Sequence, residues 1–110
     1  MMSKVTGQPY YAVIFTSQKN QSYAEEYEIA ANRMVELAEK QPGFVGIEST
    51  RSPDGIGITV SYWQSENDIR TWKTHLEHMT AQKNGREAWY KWYRVRVCKV
   101  EREYSHGDTP

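Results

Sequence analysis

The sequence predicts an α+β fold in which a four-stranded antiparallel sheet carries two helices on one face, in the order β-α-β-β-α-β. Three observations support this order. Four short runs are rich in β-branched and aromatic residues, which favour strands. Two longer segments place apolar residues at helical spacing. Pro and Gly residues mark the turns between several of these segments. The predicted fold is therefore ferredoxin-like.

The first part of the chain reads as a strand followed by a helix. The run Tyr10–Thr16 is short and β-branched, as expected of a strand. Ser22 with Glu25 three residues later forms a capping box, which satisfies free backbone donors at a helix start. Pro42 and Gly43 are expected to end the helix. Its predicted apolar face consists of Tyr23, Tyr27, Ala30, Ala31, Met34 and Ala38.

A hairpin is expected next, with strands at 44–51 and 56–63 joined by the turn Ser52-Pro53-Asp54-Gly55. One face of its second strand is apolar and consists of Ile56, Ile58, Val60 and Tyr62. The other face is mixed rather than charged and consists of Gly57, Thr59, Ser61 and Trp63. A face exposed to water would carry more charge. We therefore expect a second copy of the chain to cover this mixed face, giving a homodimeric α+β barrel.

A second helix and a last strand complete the predicted domain. Ser65 with Asp68 is expected to cap the helix, whose apolar stripe is Ile69, Trp72, Leu76 and Met79. An aromatic connection at 86–93 leads to a strand expected from about Tyr93 to Tyr104. The apolar residues move from one face of this strand to the other partway along it: Val95 and Val97 lie on one face, Cys98 and Val100 on the other. This change indicates a bulge, or a change in the part of the protein that lies opposite the strand.

Composition limits the class of protein. The 110 residues fit one domain, expected at 10–104, with polar tails at 1–9 and 105–110. Fourteen basic and fourteen acidic residues cancel, which argues against nucleic acid and membrane surfaces as partners. Cys98 is the single cysteine, so no intrachain disulfide can form. No signal segment or membrane-spanning apolar run is evident, so we expect a cytoplasmic protein.

Three segments resemble the antibiotic biosynthesis monooxygenase domain family: QPGFVGIE at 41–48, VSYW at 60–63 and WKTHLEHMTAQKNGRE at 72–87. The likeness covers roughly residues 10–104. It implies a dimeric α+β barrel, and several family members oxygenate aromatic polyketides or quinones without metal or flavin. A related branch binds and degrades haem.

The resemblance transfers only in part to individual residues. Trp72 matches a helix tryptophan that lies in the active cavities of both branches. The haem-degrading pattern has a His ten residues further on, where this chain has Gln82. That pattern also has an Asn on the first strand, whereas Tyr10–Thr16 contains none and Asn20 lies beyond it. These two departures argue against haem degradation.

The candidate catalytic residues are Trp72, His75 and His78. Trp72 either forms a wall of a substrate cavity or is the central core residue of its helix. His75 and His78 are three residues apart on nearly the same helix face, so they can act as base and orienter, or have no role on the surface. The same spacing suits two metal ligands, but His106 lies in a tail and no third ligand is evident, so we predict no metal site.

The candidate substrate-binding residues are Tyr62, Trp63, Trp89 and Arg94. The aromatic members can line a pocket for an aromatic ligand, or anchor the dimer interface. Arg94 can stabilise a negatively charged oxygen of a substrate, although charged side chains at alternate positions of a strand usually face water.

Two functions from different classes follow, with a third that is disfavoured. The first is a small monooxygenase that needs no cofactor and acts on a compact aromatic or quinone-like molecule. The second is a non-catalytic dimeric module that binds a small ligand or a partner protein. The third is a haem-degrading enzyme, which the two departures disfavour.

Overall fold

The computed structural model describes residues 9–20, 24–82 and 89–109, and at positions 24, 26 and 77–82 it describes the backbone alone. The elements are β1 (Tyr10–Lys19), α1 (Ala24–Glu39), β2 (Phe44–Arg51), β3 (Ile56–Trp63), α2 (Glu66–Gln82) and β4 (Tyr90–Val100). The four strands form one antiparallel sheet in the order β2-β3-β1-β4. The predicted ferredoxin-like α+β fold is confirmed.

The predicted hairpin turn and the second helix cap are both present. Gly55 has a φ of 92°, which a glycine adopts without steric cost, and its carbonyl oxygen accepts a hydrogen bond from the Lys19 backbone N–H at 2.8 Å. The backbone N–H of Asp68 donates to Ser65 Oγ at 3.1 Å, as a helix N-cap requires. The predicted capping residue of α1, Ser22, lies outside the described residues.

The last strand differs from its prediction. β4 begins at Tyr90 rather than about Tyr93, and it ends at Val100 rather than at Tyr104. The register with β1 is continuous from Val100 to Trp92, and an irregularity follows at Lys91, because Gln18 pairs with Trp92 and Lys19 pairs with Tyr90. The shift in apolar phase lies at Val97 and Cys98, within the continuous part, and is therefore not a bulge; the strand carries apolar residues on both of its faces.

Pairing along β1 defines the two faces of the sheet, because directly opposed residues of antiparallel strands point the same way. We call the first the helix-side face: it contains Tyr11, Val13, Phe15 and Ser17 of β1, Gly57, Thr59, Ser61 and Trp63 of β3, and Tyr93, Val95, Val97 and Lys99 of β4. We call the second the open face: it contains Tyr10, Ala12, Ile14 and Thr16 of β1, Ile58, Val60 and Tyr62 of β3, and Arg94, Arg96, Cys98 and Val100 of β4.

The assignment of these faces corrects the sequence prediction. Both helices lie over the mixed face of β3, where Trp63 is 0 % exposed, and not over its isoleucine face. Small residues leave room there for larger side chains of the sheet: the Arg51 guanidinium lies above Gly57, and the Trp63 indole N–H donates to Ser61 Oγ at 2.9 Å. On the open face, Ile56 and Ile58 remain 39 % and 42 % exposed. The uncovered face is therefore the more apolar one.

The core lies between the helices and one end of the sheet. Its buried members are Ala38, Trp63, Ile69 and Trp72, with Tyr11, Val13, Leu37, Phe44 and Leu76 packed around them. In the described part of the chain, neither helix is long and apolar enough to cross a membrane.

Candidate functional site

An apolar strip of half-exposed side chains lies on the helix-side face next to this core. Within the described residues, the helices pack mainly on β2 and β3 and leave the β4 part of this face uncovered. Val95 and Val97 are 49 % and 50 % exposed there, although they pair with the partly buried Phe15 and Val13 of β1. We call the strip formed by these four residues the helix-side strip. Half-exposed apolar side chains beside a buried core are typical of a place where another molecule binds.

Three of the predicted site residues lie beside the Val13 end of the helix-side strip, where the surroundings are apolar. The rings of Trp63 and Trp72 stack with their centroids 5.9 Å apart, and Phe44 contacts Trp63 edge-on. Trp72 is 7 % exposed, and the His75 ring lies 6.3 Å from it on the exposed side of α2. The structure therefore brings Trp63, Trp72 and His75 together.

The other predicted site residues lie elsewhere. Trp89 is buried near the far end of β1, where its carbonyl oxygen accepts a hydrogen bond from the Asn20 backbone N–H. Tyr62 and Arg94 lie on the open face, across the sheet from Trp63. The side chain of His78 lies outside the part of the chain that the structure describes.

At the far end of the helix-side face, Arg51 connects three elements. Its Nη2 donates to Ser17 Oγ at 3.1 Å and to Tyr27 Oη at 3.0 Å, and its Nη1 donates to the carbonyl oxygen of Gly55. The guanidinium occupies the space above Gly57, where an added Cβ would lie 2.6 Å from Arg51 Cζ. A glycine at this strand position is therefore what allows the arginine to fold across the sheet.

Aromatic rings surround this arginine. Tyr90 Oη donates a hydrogen bond to Tyr27 Oη at 3.5 Å, which is long for such a bond. The two rings pack edge to face with their centroids 5.6 Å apart. Trp89 packs edge to face against Tyr27 from a second direction. Burial is the larger cause and the hydrogen bond to Tyr27 the smaller cause of a pKa for Tyr90 that lies above that of an ordinary tyrosine. This phenol is protonated at neutral pH.

Two cations lie beside Tyr27 in this cluster. Lys19 Nζ is 4.7 Å and Arg51 Cζ is 5.5 Å from the centre of the Tyr27 ring, within the range of cation–π attraction. Sequence reasoning did not single out Arg51 or Tyr27 as functional residues. The signal that could have found them is Gly57, because a glycine inside a β-branched strand indicates close approach of another group.

The open face has polar chemistry of its own. Tyr62 Oη donates to a Glu48 carboxylate oxygen at 2.7 Å, and Tyr10 Oη donates to Glu103 at 3.1 Å. The Tyr10 and Tyr62 rings are 5.9 Å apart. Burial, followed by the hydrogen bond to Glu48 and the charge of that carboxylate, raises the pKa of Tyr62 to about 12. Among the described residues, no group of three or more His, Cys, Asp or Glu side chains could hold a metal ion.

Sequence comparison places this chain among known proteins. Residues 10–84 match the family described as antibiotic biosynthesis monooxygenase. The chain belongs to this family. It is 52 % identical over 102 residues to the uncharacterised protein YqjZ of Bacillus subtilis, covering 93 % of this chain and 89 % of that protein. It is 34 % identical over 95 residues to the jasmonate monooxygenase ABM of Pyricularia oryzae, a match that covers 82 % of this chain and 43 % of that longer enzyme.

Solved structures share the fold. A mutant of SnoaB, a cofactor-independent oxygenase from Streptomyces nogalater, superposes with a TM-score of 0.71 at 13 % identity, covering 88 % of this chain and 98 % of that one. Rv0793 from Mycobacterium tuberculosis superposes with a TM-score of 0.72 at 14 % identity, covering 89 % and 100 %. At such identities the likeness shows the fold alone.

Proposed function

We propose that this protein is a small monooxygenase that needs no cofactor and oxidises a compact aromatic or quinone-like molecule bound against the helix-side strip. The observation that supports this most is the half-exposed pair Val95 and Val97 beside the stacked Trp63 and Trp72. A flat apolar molecule lying there would bury these valines and exclude water from the reacting atoms. Membership of the monooxygenase family supports the reaction class.

The proposed reaction converts a methylene group flanked by aromatic rings, as in an anthrone, to a carbonyl group. A base removes one methylene proton, and the resulting carbanion reduces O2. One oxygen atom becomes the new carbonyl oxygen, and the other leaves as water with the two hydrogens of the methylene group. The substrate supplies all the electrons, so no external reductant is required. We assign the proton transfer to His75, with His78 as orienter, and assign Trp72 to the wall of the site.

Oxygen uptake tests this proposal. We expect uptake above the rate without enzyme for at least one member of a panel of anthrones, whose methylene group lies between two aromatic rings. His75→Ala should lower kcat by about a hundredfold, which is a usual contribution of a general base. Trp72→Phe should also lower turnover, whereas Thr74→Ala, an exposed change on the same helix, should have no effect. Unchanged turnover in the His75 and Trp72 variants would overturn the site assignment, and no uptake with any panel member would overturn the reaction.

The second part of the proposal is a homodimer formed through the open face. Its support is the exposure of Ile56 and Ile58, which a second copy would cover to close a barrel. Sedimentation of the wild-type protein at micromolar concentration should give the mass of two chains. The Ile58→Lys variant should give the mass of one chain. Ile29→Lys is the matched control, because Ile29 is 70 % exposed on α1 and away from the sheet. A wild-type monomer would contradict the dimer.

One observation favours the alternative of a non-catalytic binding module. Trp72 is almost fully buried against Trp63, as expected of a core residue with no direct part in chemistry. Tight binding of a panel compound without oxygen uptake would select this alternative. We continue to disfavour haem degradation, because β1 runs to Lys19 and still contains no Asn. Titration with haem should therefore leave its Soret absorption unshifted.

A further inference from the structure

We propose that Arg51, Tyr27 and Lys19 form a binding site for the carboxylate of a small aromatic acid. The site lies on the helix-side face, at the end away from Trp72. Ser17, which contacts Arg51, and Tyr11, which pairs with Trp63, are six residues apart on β1, or about 20 Å at the rise of a strand. A compact molecule bound at the Trp72 end cannot reach that far, so this is a separate site.

The first support is an excess of hydrogen-bond donors. Arg51 has five N–H groups, and its described hydrogen bonds use three of them. Tyr27 Oη accepts hydrogen bonds from both Arg51 and Tyr90, and its hydroxyl has a hydrogen of its own that it can donate to a bound oxygen. Spare donors of this kind fit an acceptor-only group, and an ionised carboxylate is such a group.

The second support is charge. Arg51 and Lys19 both lie against the Tyr27 ring, and no carboxylate among the described side chains forms an ion pair with either cation. Arginine suits carboxylates because its planar fork can donate two parallel hydrogen bonds. Arg51, Tyr27 and Lys19 are each only partly buried, so a ligand from solvent can reach them.

The third support is the aromatic surface that adjoins these donors. Phe15 stacks on Tyr93 with centroids 5.4 Å apart and meets Tyr90 edge-on at 5.3 Å. Tyr93 is 40 % exposed, so this surface is open to a ring. An acid whose carboxylate contacts Arg51 can therefore place its ring on Tyr93, which favours aromatic acids over small inorganic anions.

Calorimetric titration with benzoate tests the proposal, with benzyl alcohol as the uncharged probe of the same size. We expect benzoate to bind and benzyl alcohol to bind much more weakly. Tyr27→Phe keeps the ring and removes the hydroxyl, and it should weaken benzoate binding about tenfold, the usual effect of losing one hydrogen bond to a charged group. Arg51→Gln should weaken it further. Arg33→Gln removes the same charge from an exposed position on α1 and should leave binding unchanged.

Three outcomes would overturn the site. The first is no benzoate binding by the wild-type chain, which would leave Arg51 with a structural role only. The second is equal binding of benzyl alcohol, and the third is unchanged binding in both Tyr27→Phe and Arg51→Gln. Near-UV circular dichroism of Tyr27→Phe shows whether the aromatic cluster is intact, so a folding defect is not mistaken for lost binding. The titration involves no oxygen, so its result is independent of the proposed oxygenase activity.

Discussion

Tyr62 and Trp63 are neighbours in β3, yet they belong to two faces of the sheet that are built differently. Trp63 points under the helices, is 0 % exposed, and stacks on Trp72. Tyr62 points to the open face, where its hydroxyl donates a hydrogen bond to Glu48, and Ile58 on the same face is 42 % exposed. Around Trp63 the helix-side face is thus covered within a single chain, whereas around Ile58 the open face presents apolar surface that a single chain does not bury.

Replacing Trp63 tests this difference with the largest expected effect. Trp63→Ala should lower the free energy of unfolding by about 3–5 kcal/mol, the usual cost of truncating a buried tryptophan. That is a large fraction of a small domain's stability, because domains of this size are stable by only about 5–15 kcal/mol. Urea unfolding measures the change. Tyr62→Ala is the matched control on the same strand, and an equal loss in both variants would show that the two faces do not differ as described.

Ser65→Ala tests how the helix-side face is held together. Ser65 Oγ accepts the Asp68 backbone N–H at the start of α2, the helix that places Trp72 over Trp63. Loss of an N-cap costs about 1 kcal/mol, so the free energy of unfolding should fall by about that amount. Thr71→Ala, at an exposed position of the same helix, is the control and should cost less. An effect of Ser65→Ala no larger than that of the control would mean that the cap contributes little.

The sequence predicted the elements of this fold better than their arrangement. The turn at Ser52–Gly55 and the cap at Ser65 are local signals, because both depend on residues within a few positions of each other. Which face of β3 meets the helices is not local. Both faces of that strand contain apolar residues, and Gly57 indicates that another group approaches closely without identifying the Arg51 guanidinium as that group.

The candidate site could be predicted only in part for the same reason. Trp72 was found through the family resemblance, and its contact with His75 follows from their spacing on one helix. The cluster around Arg51 joins Ser17, Tyr27 and Tyr90, which are far apart in the sequence. No periodicity or motif connects such residues, so only the fold reveals that they meet.

The contribution of Tyr62 to the pH dependence of stability is the smallest expected effect, because this open-face phenol is only partly buried and solvent screens its charge. The pKa of Tyr62 is about 12 in the folded chain against 10.0 for an unperturbed tyrosine, because burial and the Glu48 carboxylate disfavour the phenolate. Above pH 10 the unfolded chain therefore loses this proton more readily than the folded chain does. The contribution of the Tyr62 phenol to the free energy of unfolding is complete below pH 10, and it is lost as the pH rises towards about 12.

We therefore expect the free energy of unfolding to fall less steeply between pH 10 and pH 12 in Tyr62→Phe than in the wild-type chain. Tyr10 contributes in the same direction, because burial and Glu103 raise its pKa too, so the variant should reduce the slope without abolishing it. Urea unfolding at several alkaline pH values measures the slope. Tyr104→Phe is the control, since Tyr104 is 86 % exposed and its removal should leave the slope as it is. An unchanged slope in Tyr62→Phe would mean that burial and the Glu48 carboxylate do not raise the pKa of Tyr62.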